Sequence, residues 1–201
     1  METVPSEKIE ILDESQLISL LNAHDIPLDL WGKNDAKTIG HLLRELESGE
    51  ITLTKEGDSL LRNAIGSALN VYYQENEETL YLKETKQVFK DGRTRTRDLT
   101  TSIGEKAKPG EDPLETAQRA LSEELGISEN LLLTPEPTEI KGPIPSTSYP
   151  GLISRFIIYK YKTFIPAHLF KAEGYKEEQE DKTNYFEWVS KDYSVRKAST
   201  G

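Results

Sequence analysis

The stretch Gly110–Ile127, GEDPLETAQRALSEELGI, sets six charged side chains among eighteen positions and carries a glycine near each end. Leu114, Ala117, Leu121 and Leu125 recur at spacings of three and four, the period of one helix face. Pro113 suits a first helical turn, where its missing N–H costs nothing. Glu111 and Asp112 complement the positive end of the helix dipole, and Gly126 supplies the stop. The pattern predicts an amphipathic helix. Glu111, Glu115, Arg119 and Glu123 lie four apart on another face, so Arg119 can pair with a carboxylate one turn to either side. Glu123 and Glu124 sit side by side at the negative end of the dipole, where both are disfavoured and each repels the other. Two acids so placed point to a cation or a basic partner.

Outward from this helix the period changes. "NAIGSALNVYYQ" and "TLYLKETKQVF" alternate as strands around a polar turn at Glu75–Glu78, and a small hairpin is expected around Glu56-Gly57-Asp58. A further strand is expected through Arg95–Ile103, then a loop of Gly, Lys and Pro over Gly104–Gly110. After the helix come a Pro-rich connection (Thr134–Pro150), a strand "LISRFIIYKYKTFI", an acidic stretch (Glu173–Asp181) and "NYFEWVSKDY" as strand and tail. Before it, Leu17, Ile18 and Leu21 mark one short helix capped by Asp13 or Ser15. Ile39, Leu42, Leu43 and Leu46 mark a second, with Asn34 or Asp35 as cap and Gly49 as stop. Residues 1–10 read as disordered. The fold class is therefore α/β (α+β), a mixed β-sheet sandwiched by helices with a small N-terminal helical appendage. The expected boundaries are 1–59 for the helical region, 60–192 for the main domain and 193–201 for a tail.

Composition narrows the function. Of 201 residues, 35 are Asp or Glu against 25 Lys or Arg, a net charge of −10, which makes a general nucleic-acid or anionic-membrane binder a poor fit. It leaves room for an anionic ligand carried by a metal ion. Without cysteine there is no disulfide framework, zinc-thiolate site or thiol nucleophile. The acidic N-terminus does not read as a signal peptide, and no run approaches the roughly 18 apolar residues of a membrane span, so a cytoplasmic location is expected.

The spacing of the quoted helix resembles the box of the Nudix (MutT-like) hydrolase superfamily. That box runs Gly, five residues, Glu, seven residues, Arg-Glu, an aliphatic, any residue, Glu-Glu, any residue, Gly, an aliphatic. Glu111, Arg119, Leu121, Glu123, Glu124, Gly126 and Ile127 fall in register, and the likeness extends over roughly residues 60–192. Three positions depart from it. Ala120 stands where the Glu after Arg119 belongs, Glu105 where the first Gly belongs, and Lys108 where a loop acid precedes the Gly-Glu pair. The resemblance implies Mg²⁺ or Mn²⁺ held by Glu123 and Glu124, which would also be the catalytic carboxylates. It implies a structural ion pair of Glu111 with Arg119. Magnesium commonly takes only one or two protein carboxylates, with water and substrate phosphates completing its shell, so the two survivors suffice for an ion. A glutamate in place of Ala120, one turn before Glu124, would be expected to point into the same cluster.

Arg93, Arg95 and Arg97 in "KDGRTRTRD" share one side of an extended segment and are the candidate substrate contacts, since arginine suits planar phosphate recognition; the alternative is an edge strand protected by charge. Glu177, Glu178 and Glu180 are candidates for a distal acid, or else a solvated charge run. His24, His41 and His168 show no metal or triad spacing and read as structural. The implied function is cleavage of a diphosphate bond in a nucleoside diphosphate derivative with Mg²⁺. The alternative is a catalytically impaired Nudix-fold binding or regulatory module. The expected ligand is a small nucleotide-like diphosphate, with no membrane partner. The N-terminal helices are expected to cap the site or to serve a homodimer or protein partner.

Overall fold

The short helices form where their caps are. In the computed structural model, which describes residues 7–190 (the backbone alone at Glu7 and Lys8), α1 spans Glu14–Ala23 and begins at Asp13, whose side chain accepts the Gln16 N–H at 2.8 Å. Helix α2, Ile39–Glu47, begins at Thr38 rather than at Asn34 or Asp35. Asn34 has φ 54°, a left-handed turn conformation that does not lead into a helix, whereas Thr38 is extended. Thr38 Oγ1 accepts the His41 N–H and His41 Nδ1 accepts the Thr38 N–H, both at 3.3 Å, so the histidine completes a capping box. Its role is structural.

Among the described residues there are three α-helices and ten strands, an α+β architecture, divided between two compact units. The first gathers residues up to Gly66 together with Lys106–Glu111 and Thr138–Ile158. Strand β1 (Glu7–Ile9) pairs antiparallel with β2 (Ile51–Glu56), so order begins within the segment read as disordered; Met1–Ser6 lie outside the described residues. The turn at Gly57 joins β2 to the long β3 (Ser59–Glu75) with Glu56 opposite Ser59, as the hairpin reading expects. Leu17, Leu21, Leu42, Leu53, Leu152 and Tyr149 close this unit's core. Lys106–Glu111 is built into the same unit. Ala107 N–H donates to Ile65 O at 2.9 Å, and a Cβ on Gly49 (φ 70°) would come within 2.3 Å of the Pro109 ring.

The second unit holds Ser67–Glu105, Asp112–Pro137 and the chain from Tyr159 onward. Here β4 (Glu78–Phe89) pairs with the end of β3 and with β10 (Lys182–Ser190), and β10 pairs with β9 (Tyr175–Glu178), all antiparallel. The stretch read as a strand over Arg95–Ile103 is instead two short strands, β5 (Thr94–Thr96) and β6 (Ile103–Lys106). A side chain replaces the ladder between them: the buried Ser102 hydroxyl donates to Leu82 O at 2.6 Å and accepts from Val71 N–H at 2.9 Å. The Pro-rich connection is also corrected, because Thr134–Pro145 forms strand β7, which pairs with β8 (Ile153–Phe164). Proline lacks a donor and is tolerated where a strand has a neighbour on one side. Among the described residues no helix is long and apolar enough to cross a membrane. The expected tail at 193–201 lies outside the described residues.

Candidate functional site

Helix α3 runs Pro113–Leu125, as its sequence predicts. Asp112 accepts the Leu114 N–H at 2.8 Å, the Glu115 side chain returns to the Asp112 N–H at 3.2 Å, and Gly126 closes the helix at φ 67°. The buried face is Thr116, Ala117, Ala120, Leu121 and Leu125; Leu114, expected on it, is 43% exposed. Leu114 lies in the first turn, and the core begins one turn later. Ala120 is 1% exposed and belongs to the apolar cluster that includes Leu69, Val71, Ile103 and Leu121. The position missing its acid is thus packed.

The adjacent acids at the end of α3 turn to different neighbours. Glu123 is exposed and meets Arg119 Nη1 at 3.1 Å, one turn back; the same nitrogen lies 3.9 Å from Glu105 on β6. Glu124 is half-buried and accepts the Gly104 N–H at 3.2 Å. Burial pushes the Glu124 carboxyl up, and the charges of Glu177, Glu105 and Glu84 push it further against the one opposing hydrogen bond, to about 9. At neutral pH it holds its proton unless a cation joins it.

All three of those neighbours stand on strands: Glu105 on β6, Glu84 on β4 and Glu177 on β9. Glu84 is 6% exposed, on the inward face of β4 that also carries the buried Leu82. Its Oε2 lies 3.4 Å from Arg97 Nε, and its Oε1 has no hydrogen-bond partner. Opposite, the register slips: Tyr185 faces Lys86 but Phe186 faces Glu84, so Thr85 is an extra residue. This bulge brings Gln87 to the inward side as well. Gln87 donates to Asn184 at 3.0 Å, and Asn184 donates to Glu177 on β9 at 2.6 Å. Alongside, a trough of about 570 Å³ is lined by Glu123, Glu124, Lys171, Gly174, Glu177 and Tyr185, among others.

The other sequence candidates are spread out. Arg93 is exposed, holds Asp91 at 2.7 Å and stacks its guanidinium on Phe89. Arg95 is half-buried on β5 opposite Gln87, and Arg97 stands beside Glu84. Glu111 sits in the first unit, where its Oε2 accepts the Lys108 N–H at 2.9 Å. Glu178 is exposed and paired with Lys176 at 2.6 Å. Glu84, Gln87 and Asn184 are absent from the sequence candidates. A signal was present in the alternation Leu80, Leu82, Glu84, which sets an acid where an apolar residue belongs.

Among the described residues no three His, Cys, Asp or Glu side chains stand together as a ready ligand set. The chemistry present nonetheless fits a hard divalent cation: oxygen donors only, a carboxylate oxygen of Glu84 orphaned in the interior, and an excess of negative charge around Glu124.

Residues 66–192, more than half of the chain, match the family model of the NUDIX domain. The chain belongs to the NUDIX family. Among solved structures it is similar to the C. elegans Ap4A hydrolase, at 15% identity and a TM-score of 0.38 over 67% of this chain and 86% of that one. It is likewise similar to the E. coli dihydroneopterin triphosphate pyrophosphohydrolase, at 16% identity and a TM-score of 0.40 over 66% and 84%. A MutT protein from Bacillus halodurans aligns at 20% identity and a TM-score of 0.32 over 66% and 71%. No curated protein matches the chain.

Proposed function

We propose that this NUDIX chain is a hydrolase that cleaves a diphosphate bond in a nucleoside diphosphate derivative with Mg²⁺ or Mn²⁺. The observation that carries the reading is geometric: Glu124, half-buried at the end of the box helix and anchored by the Gly104 N–H at 3.2 Å, shares one trough with Glu123 and Glu177. Such an arrangement costs stability, and a cation removes the cost. Glu124 would be the carboxylate that meets the ion, with Glu123 beside it on the trough, steadied by Arg119. When bound, the ion supplies Lewis acidity that neutralises diphosphate oxygen charge and acidifies water. Glu124 would hold it as the ionised carboxylate. Arg119 keeps the negative charge of Glu123 from adding to the repulsion. The substrate phosphate is assigned to Arg97, just past β5 and beside Glu84, with Arg95 on β5 next to it.

The test is a panel of nucleoside diphosphate derivatives, including ADP-ribose, dinucleotides and nucleoside triphosphates, incubated with Mg²⁺ or Mn²⁺. Phosphate or nucleotide release from at least one member is expected, abolished by EDTA. Release from none of them by the folded protein would falsify hydrolysis and leave the binding-module reading.

A further inference from the structure

Resting on the proposed function, we infer that Glu105 supplies the carboxylate that Ala120 withholds, acting as a second protein ligand, with Glu124, to the divalent cation. The site has moved one of its acids from the helix to the facing strand.

The helix position does not fill the role in this chain. Ala120 is packed among Leu69, Val71, Ile103 and Leu121, and its methyl group offers no oxygen. Strand β6 approaches α3 along this face: Ile103 shares the apolar cluster with Ala120, and the next residue, Gly104, donates its N–H to Glu124 Oε1 at 3.2 Å. Glu105 is the residue after that. Its carboxylate reaches within 3.9 Å of Arg119 Nη1, the guanidinium adjacent in sequence to Ala120, and its charge acts on Glu124. The backbone that anchors Glu124 therefore also carries Glu105.

An observation independent of these two acids points to a ligand here. Glu84, another of the charges acting on Glu124, is more than nine-tenths buried, and its Oε1 has no hydrogen-bond partner. A buried carboxylate oxygen without a donor is costly, and a nearby cation or its water shell relieves it. Two carboxylates are enough, because magnesium completes its coordination with water and phosphate oxygens. Arg119 fits the assignment. Lying between Glu105 and Glu123, it limits the repulsion of the acids before the ion arrives.

The experiment is Mn²⁺ binding to the full chain without substrate, read by calorimetry and by loss of the free-ion signal in electron paramagnetic resonance. Glu105→Gln keeps the side chain's shape and should weaken Mn²⁺ binding at least about tenfold. Glu47→Gln, which removes an exposed acid of α2 in the first unit, should leave it unchanged. The double variant Glu105→Gly/Ala120→Glu, which moves the acid to the helix, should bind more tightly than Glu105→Gly alone. If the parent binds Mn²⁺ and Glu105→Gln binds it equally, Glu105 is not a ligand, while the hydrolase reading stands. If the parent binds no Mn²⁺, both fall together.

Discussion

Two glutamates, one in each unit, show opposite ways of withdrawing a carboxylate from water. Glu45, on α2 in the first unit, is buried against three cations: Lys37 at 2.6 Å, Arg62 at 2.7 Å and Lys106 at 3.1 Å. Burial alone would push it up, but the hydrogen bonds of Lys37 and Arg62 and the charges of Arg62 and Lys106 outweigh burial and hold it at about 2. Glu124, in the second unit, has burial and three acids on one side and a single backbone N–H on the other, and stands at about 9. The first is electrostatically complete within the chain. The second is not, and on the proposed reading a cation supplies the missing charge. The contrast sets an acid that holds a fold together against the one proposed to take a ligand.

The largest effect expected from breaking this contrast is at Glu45. Arg62 is itself 5% exposed, so Glu45→Gln leaves a buried guanidinium without its counter-charge, a loss of about 3–5 kcal/mol. In a chain of this size that corresponds to a fall in Tm on the order of 10 °C. Because Glu45 titrates below the ordinary carboxylate range, its contribution is present above that range and lost as pH falls toward about 2. Scanning calorimetry in EDTA and in Mg²⁺ should give the same loss in both. A loss that Mg²⁺ repairs would make Glu45 part of the cation site and erase the distinction.

Glu124 should behave in the reverse sense. Its carboxyl titrates above the ordinary value, so the associated stability is full below that value and is lost as pH rises through about 9. In EDTA the parent should therefore melt lower at pH 8.5 than at pH 6, and Glu124→Gln should remove much of that slope. In Mg²⁺ the order inverts: the parent gains several degrees at pH 8.5 and the variant gains little. Identical pH slopes for the two proteins in EDTA would show that Glu124 is not held by its acidic neighbours.

A third variant inserts an acid into the boundary between the two behaviours. Ala120→Glu sets a carboxylate into the apolar cluster one turn before Glu124. Without a cation it should destabilise by about 1–3 kcal/mol. If the site draws its charge from outside, Mn²⁺ should recover more stability in this variant than in the parent. A deficit of the same size with and without Mn²⁺ would place position 120 beyond the reach of the ion.

Much of this was legible in the residues. The helix over 113–125, its glycine stop, the hairpins and the register of Arg119, Glu123 and Glu124 follow from period and turn chemistry, which are local. The misses were not local. Thr38 rather than Asn34 caps α2 because of a turn conformation several residues away. Ser102 interrupts the expected strand over Arg95–Ile103 by bonding to both β3 and β4. Glu84 joins Gln87 on one face through a bulge at Thr85 that is defined by β10, a hundred residues later in the chain. The divergence of Glu123 and Glu124 depends likewise on Gly104, which no helical pattern contains.

The smallest effect separates the arginines that the sequence ranks together. If Arg93, Arg95 and Arg97 formed one phosphate-binding row, truncating any of them would cost a similar amount. Instead Arg97 stands 3.4 Å from the buried Glu84, an acid that resembles Glu45 in burial and Glu124 in lacking a full set of partners. Arg93 is exposed, engaged with Asp91 and Phe89 at the turn between β4 and β5. Arg97→Ala should raise KM for the diphosphate substrate several-fold and lower the Tm, because it removes a charge from both the phosphate and Glu84. Arg93→Ala should change stability by no more than about 0.5 kcal/mol and leave KM in place. Adding Glu84→Gln to Arg97→Ala should restore the Tm but not the KM, since the amide no longer needs a counter-charge whereas the phosphate still does. Steady-state kinetics and melting of these variants decide the point, and equal KM effects at positions 93 and 97 would return the three arginines to a single row.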